Sequence, residues 1–234
     1  MLGRRALLLT GLAATLPRLA GAEPARRGGT LRWAVRRLPA SLDPMASTFE
    51  ALPALYDTLS DADSGLVDSW QFTDPQTLVI DLKPRIAFHD GSLCASDSVK
   101  ANLDRHRFDT VDDILVLGRY RLQLHLSRPD PGLPATLAGP AGLIASPASF
   151  HGNPVGTGPF RFVSRTDQRL TLARNESYRL PDLPLLDEIE ITAAADPVAA
   201  VTAGQADLAL GPQGTAQSPR LHDITPNLAR AWLG

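Results

Sequence analysis

The stretch that best indicates the fold is Pro154-Val155-Gly156-Thr157-Gly158-Pro159-Phe160, which leads into an alternating segment at residues 160–163. A glycine-rich loop of this kind can bind phosphate, but this one lacks the lysine and the long glycine spacing of a phosphate loop. The two glycines therefore favour a sharp turn into a β-strand. A second alternating segment, residues 170–172, follows Asp167 and Gln168, so the sequence predicts a hairpin here.

In the rest of the chain, short segments in which apolar and polar residues alternate are mixed with segments whose apolar residues have helical spacing. Further strands are predicted at residues 31–35, 71–72, 77–82, 120–126, 189–191 and 207–210. Helices are predicted at residues 49–59, 96–107 and 196–204. Strands and helices do not alternate regularly, and two pairs of strands read as hairpins. The sequence therefore predicts a mixed α/β fold rather than a simple β-α-β repeat.

The N-terminus has the pattern of an export signal. Arg4 and Arg5 precede an apolar run at residues 6–16, and Ala20-Gly21-Ala22 fits a small-residue cleavage site. The run is too short to span a bilayer. We predict a signal peptide at residues 1–22, cleaved between Ala22 and Glu23, and the arginine pair favours the twin-arginine route. The alternative is a buried N-terminal helix, which Pro17 argues against.

Composition excludes several classes of protein. The chain has 234 residues, 44% hydrophobic and 21% charged, with a formal net charge of −2. This is globular composition without the basic excess that favours a nucleic-acid partner. The single cysteine excludes an internal disulfide and a cysteine-cluster metal site. No two of the five histidines have the short spacing of a metal pair, so neither a metal nor another cofactor is expected.

The candidate catalytic residues each have a structural explanation. His89 and Asp90 could belong to a metal phosphohydrolase, but they precede Gly91, and a turn in which Asp90 accepts backbone N–H groups explains them better. Cys94 could be a reactive thiol, but its apolar neighbours favour a small buried side chain. No Gly-x-Ser-x-Gly motif is present. The residue patterns therefore show no catalytic centre, and we predict that the protein is not an enzyme.

Ten short segments, taken together and in order, resemble one protein family. They are residues 28–31, 41–44, 66–70, 82–84, 88–92, 125–129, 154–160, 174–178, 186–188 and 203–208. The chain resembles the peptide- and nickel-type extracellular solute-binding proteins of ABC importers, family 5. Residues 154–160 are the most specific of these segments. Family members are about twice as long, so the resemblance covers only their N-terminal half.

The resemblance implies one mixed-sheet lobe of a type II periplasmic-binding-protein fold. Residues 23–210 would form solute-binding lobe I, residues 211–234 a hinge-proximal tail, and the second lobe would be missing. The implied partners are a peptide or related small solute and an ABC permease in the inner membrane, with the protein in the periplasm. Without a second lobe, the apolar residues of the tail would have few packing partners and would be exposed. We therefore also expect self-association, or a separate chain that supplies the second lobe.

The resemblance places the ligand contacts in the loop after the first strand and at the start of the following helix. The candidate residues are Arg37, Leu38, Ser41, Thr48 and Phe49. The alternative is that residues 38–44 merely connect two elements. Three functions stay open: an importer component impaired by truncation, an exported interaction or scaffold protein or else a non-binding relic of the family, and, with least support, an exported enzyme.

Overall fold

A computed structural model describes residues 27–60, 65–210 and 216–217. The predicted signal peptide with its cleavage site at Ala22 and Glu23 lies outside the described residues, as does most of the predicted tail. The strands are β1 (Thr30–Val35), β2 (Val67–Asp74), β3 (Thr77–Leu82), β4 (Val111–Gly118), β5 (Arg121–Leu126), β6 (Phe160–Arg165), β7 (Arg169–Arg174), β8 (Glu188–Ala193), β9 (Leu208–Leu210) and β10 (Ala216–Gln217). The α-helices are α1 (Leu52–Leu55), α2 (Ser96–His106), α3 (Leu133–Ala138) and α4 (Pro197–Thr202).

Six strands form a mixed sheet in the order β10-β9-β1-β8-β7-β6. Strand β1 lies between β8 and β9 and runs parallel to both, so Trp33 faces Ile191 on one side and Leu208 on the other. The predicted hairpin at residues 160–172 is confirmed as β6 and β7, which extend the sheet from β8 by antiparallel pairing. The mixed α/β architecture predicted from the sequence is therefore confirmed.

The other four long strands form a separate antiparallel sheet in the order β2-β3-β5-β4. The predicted hairpin of β2 and β3 is confirmed. Strand β4 was not predicted, and it pairs with β5 along the outer edge of this sheet. Helix α2 contacts β4 and β5 through its buried side chains, among them Val99 and Leu103.

Each sheet has its own hydrophobic core. The core of the six-stranded sheet includes Leu31, Trp33, Leu55, Tyr56, Phe160, Leu172 and Ile191. The core of the four-stranded sheet includes Leu78, Ile80, Val99, Leu103, Leu122 and Leu124. A smaller cluster of Ala34, Val201, Ala206 and Ala209 packs α4 against β1 and β9. The segment predicted as one lobe thus contains two sheets, each packed around its own core.

Residues 154–160 connect the two sheets. Val155 packs on the core of the four-stranded sheet, and Phe160 begins β6 in the core of the six-stranded sheet. A Cβ on Gly156 would lie 2.0 Å from the carbonyl oxygen of Leu55, and a Cβ on Gly158 would lie 2.5 Å from the Leu55 carbonyl carbon. The chain bends at residues 157–159 just before β6, where the sharp turn was predicted. Neither glycine has a positive φ, and both are required because the loop passes directly against α1.

His89 fixes this connection from the side of the four-stranded sheet. Its backbone N–H donates to the Gly156 carbonyl (2.9 Å), and the Gly156 N–H donates to its Nδ1 (3.2 Å). Its Nε2 lies 3.0 Å from the Gly158 carbonyl oxygen. Because Nδ1 accepts a hydrogen bond, Nε2 carries the proton and donates to Gly158. The imidazole is therefore a neutral structural link between two loops.

The turn at His89 and Asp90 is confirmed as a structural element. The Asp90 carboxylate accepts from the Ser92 backbone N–H (2.9 Å) and from the Ser92 hydroxyl (2.6 Å), and Gly91 has a φ of +84°. The predicted helix at residues 49–59 was wrong in extent, because α1 has only four residues and Tyr56 already has extended backbone. Apolar residues on either side of α1, such as Ala51, Tyr56 and Leu59, lie on irregular backbone, and their side chains are still buried in the core.

Candidate functional site

The parallel strands β1, β8 and β9 end at the same edge of the six-stranded sheet. Ligands of open α/β sheets bind outside the carboxyl ends of such strands, where the following loops diverge. The loop after β1, residues 36–44, leaves from this edge, and different residues of it line two cavities. This edge is the candidate functional site.

The first cavity has a volume of about 260 Å³. Ser41 and Asp43 of the β1 loop line one part of it, and the rings of Tyr56, Phe150 and Phe162 supply aromatic surface. The cavity is smaller than the roughly 300–1,000 Å³ of a typical small-molecule site, so by itself it would hold only a small group.

The second cavity, of about 340 Å³, is more open and more polar. Arg36, Arg37 and Leu38 line it from the β1 loop, and Asp167 lines it from the turn between β6 and β7. Arg165 at the end of β6 lines both cavities, and its guanidinium donates to the Pro39 carbonyl. Three guanidinium groups and one carboxylate surround this cavity among its described lining residues. The cavity is therefore suited to an anionic group such as a carboxylate.

Several contacts fix the β1 loop. The Tyr56 hydroxyl donates to the Leu42 carbonyl (2.9 Å), and burial raises the pKa of this phenol, so it stays protonated as a donor. Both oxygens of Asp43 accept from the guanidinium of Arg105 in α2. That guanidinium also lies over the ring of Phe150, with its carbon 3.9 Å from the centroid. A residue of the four-stranded sheet's helix thus holds a loop of the candidate site.

The structure brings three of the five predicted ligand residues to the cavities. Arg37 is exposed and lines the second cavity with Leu38, which is mostly buried, while Ser41 lines the first. The Ser41 hydroxyl accepts from the Asp43 backbone N–H (3.0 Å), so it also shapes the loop. Phe49 stacks on Trp33 at 6.0 Å within the core, and Thr48 is exposed and lines neither cavity. Both precede α1 rather than begin it, contrary to the predicted helix start.

A buried ion pair lies behind the first cavity, and sequence reasoning missed it. Asp57, only 5% exposed, has its Oδ2 3.1 Å from the Arg179 guanidinium and its Oδ1 3.0 Å from the Tyr178 hydroxyl, which donates to it. Its backbone N–H donates to the Thr157 hydroxyl (3.4 Å). Burial raises the pKa of Asp57, and the Arg179 charge opposes this rise. The one signal in the sequence is a carboxylate within an otherwise apolar run at residues 52–59.

The groups that could suggest catalysis do not form a reactive site. Cys94 is buried, as predicted, and burial raises the pKa of its thiol to about 12, so the thiol stays protonated. Burial lowers the pKa of His89, which keeps the ring neutral between its two loop contacts. Within residues 27–60, 65–210 and 216–217, no three acidic, histidine or cysteine side chains group as metal ligands. In the same part of the chain no helix has the length and hydropathy to cross a bilayer.

Known proteins share this sequence pattern and this fold. Residues 62–227, well over half of the chain, match the family described as "Bacterial extracellular solute-binding proteins, family 5 Middle". The glutathione-binding protein GsiB of Pectobacterium atrosepticum is 33% identical over 147 residues, which are 53% of this chain and 28% of GsiB. The transcriptional regulator SgrR of Shigella boydii is 26% identical over 152 residues, covering 61% of this chain and 27% of SgrR.

Solved structures agree with the family match. An ABC transporter substrate-binding protein from Sinorhizobium meliloti superposes with a TM-score of 0.72 at 24% identity, covering 86% of this chain and 47% of that protein. The chain thus spans less than half of that protein and under a third of GsiB. The match over residues 62–227 exceeds half of the sequence and agrees with the observed fold. The chain belongs to the bacterial extracellular solute-binding proteins, family 5.

Proposed function

We propose that this chain is the solute-binding component of an ABC importer, or part of one, and that it acts in the periplasm without catalysis. Its solute would be a peptide or a related small molecule, delivered to a permease in the inner membrane. The observation that carries the proposal is the pair of cavities lined by the β1 loop, at the carboxyl edge of β1, β8 and β9.

The lining of the two cavities supports a solute with an apolar part and an anionic group. Tyr56 and Phe150 offer aromatic surface in one cavity, and Arg36 and Arg37 offer guanidinium groups in the other. A short peptide carries both features, since it ends in a carboxylate. GsiB is described as a glutathione-binding protein, and glutathione is itself a small peptide.

The length of the chain bears on affinity. Binding proteins with two lobes enclose the ligand by closing around a hinge. Among the described residues the two cavities open to solvent, so a bound solute would keep much of its surface in water. Its affinity would then be weaker than in a site enclosed between two lobes. We propose that a second lobe, from further sequence or from a separate chain, completes the site.

The test is titration calorimetry of the 234-residue chain with glutathione and a set of dipeptides and tripeptides. We expect Arg37→Ala to weaken binding about tenfold, because a charge-assisted hydrogen bond is lost. Ser41→Ala should weaken it about threefold, the size expected for a neutral hydrogen bond. Arg128→Ala, an exposed arginine after β5, is the matched control and should change nothing. Unchanged binding in both site variants would remove the β1 loop from the site.

One observation favours the alternative of an interaction protein, namely the apolar side chains exposed on β4. If no peptide binds at any concentration while the chain forms a stable complex with another exported protein, the alternative is supported and the importer role is rejected.

A further inference from the structure

The four-stranded sheet ends in an unusual edge strand. Strand β4 pairs with β5 on one side, and no described strand pairs with its other side. Three consecutive apolar residues of β4 are exposed: Leu115 (40%), Val116 (40%) and Leu117 (52%). An exposed apolar edge strand presents free backbone N–H and C=O groups together with apolar surface, and it readily pairs with another strand.

The other long edge strands lack this property. Strand β2 at the opposite edge exposes the polar residues Asp68, Ser69 and Gln71. Strand β6, at one edge of the six-stranded sheet, exposes Val163 but places arginines near both of its ends. Polar and charged residues on an edge discourage strand addition. The register of β4 shifts near both of its ends, as that of β2 does, but the exposed residues at the centre of β4 are apolar.

The charges at the two ends of β4 indicate the orientation of a partner strand. Asp112 and Asp113 lie near its start and Arg119 directly follows its end, and all three are exposed. When two copies of β4 pair antiparallel, the acidic start of each lies beside the arginine of the other. A parallel pairing would instead place like charges together, which is unfavourable.

We propose that β4 is a self-association surface through which two copies of this chain pair antiparallel, joining their four-stranded sheets into one eight-stranded sheet. In such a pairing a two-fold axis passes at Val116, at the centre of the apolar segment, so Val116 opposes its own copy and Asp113 opposes Arg119 of the second copy. The interface is separate from the two cavities, so it does not depend on the proposed solute-binding function.

Cross-linking tests the geometry of the pairing. In the full chain, Val116→Cys places a thiol near the axis, where opposed Cα atoms lie within the 4.4–6.8 Å range of a disulfide, roughly as in any antiparallel pair. Mild oxidation should give a covalent dimer. Val163→Cys on β6 is the matched control, since it is similarly exposed, and it should give none. Cys94 is buried and does not compete.

Sedimentation tests its energetics. We expect wild-type protein to show a concentration-dependent monomer–dimer equilibrium. Leu117→Lys should raise the dimer dissociation constant at least tenfold, and Val163→Lys should leave it unchanged. Arg119→Asp should also weaken the dimer, and adding Asp113→Arg to it should restore association. A far-ultraviolet circular dichroism spectrum equal to wild type shows that each variant is folded.

Three results would overturn the proposal. The first is a monomer at all concentrations. The second is an equal loss of association in Leu117→Lys and Val163→Lys. The third is protection from hydrogen exchange, in the monomer, of those β4 amides that point away from β5, because the outer edge would then be covered by its own chain.

Discussion

The two sheets differ in where they expose functional surface. In the six-stranded sheet three parallel strands end at one edge, and both cavities lie there. The four-stranded sheet is wholly antiparallel, packs against α2, and exposes an apolar edge at β4. Parallel pairing gathers several loops at one edge, whereas antiparallel hairpins divide them between two. The first sheet thus carries the proposed binding surface, and the second supports it through His89 and Arg105.

The largest expected effect on the free energy of unfolding comes from the buried ion pair of Asp57 and Arg179. Asp57→Ala leaves the Arg179 guanidinium buried without its carboxylate, which typically costs about 3–5 kcal/mol. Asp81→Ala is the matched control in the four-stranded sheet, because its contact to Arg121 (3.2 Å) is solvent-exposed and worth under about 1 kcal/mol. Urea unfolding measures both. Equal losses in the two variants would contradict the distinction.

The second prediction concerns the connection between the regions. Gly158→Ala places a methyl group 2.5 Å from the Leu55 carbonyl carbon and should lower the free energy of unfolding by about 1–3 kcal/mol. Gly152→Ala, where a Cβ meets nothing within 4 Å, is the control and should change it by less than about 0.5 kcal/mol. A tolerated Gly158→Ala in thermal and urea unfolding would show that α1 and the loop can separate.

The smallest effect is a pH dependence at the same connection. Burial lowers the pKa of His89 in the folded state, whereas in the unfolded chain His89 has its ordinary pKa of about 6.5. Below about pH 6.5 the unfolded chain therefore binds more protons than the folded protein. The stability that His89 contributes is therefore full above that pH and is lost as the pH falls towards the folded pKa. Each unit of pKa difference is worth about 1.4 kcal/mol.

The check is the unfolding free energy of wild type and His89→Gln between pH 7.5 and 5.5. The variant should be less stable at the higher pH and should lose less stability on acidification. His106, whose pKa is lowered by partial burial and by Arg105, contributes with the same sign in both proteins. Parallel pH curves would rule out His89 as the titrating group.

Sequence patterns predicted the regular parts of both sheets. Alternation located β3, β5, β7 and β8, because each buries mainly one face. It also located β1, where large apolar residues lie on one face and the small Ala34 packs towards α4 on the other. It missed β4, where Ile114 to Leu117 form a continuous apolar run of which only Ile114 is buried. It overextended α1, because helical spacing also occurs when apolar residues are buried from irregular backbone, as at Tyr56 and Leu59.

The site was predicted less completely than the fold. The family resemblance found the β1 loop, and Arg37, Leu38 and Ser41 do line cavities. No pattern within the chain indicates that Arg165 lines both cavities or that Arg105 binds Asp43, because these contacts join residues far apart in sequence. The ion pair of Asp57 and Arg179 was missed for the same reason.

The position of β1 between β8 and β9 has a consequence for the order in which the chain folds. The first described residues bond to residues late in the described chain, as in the bond from Gly29 to Asp187, 158 positions away. Strands β2 to β5 all lie between residues 67 and 126 and need only nearby partners. Contacts between distant residues cost more loop-closure entropy and form more slowly than contacts between nearby residues. The four-stranded sheet can therefore assemble during synthesis, before β8 and β9 are available to pair with β1. The edge that carries the proposed solute site is then completed after the four-stranded sheet.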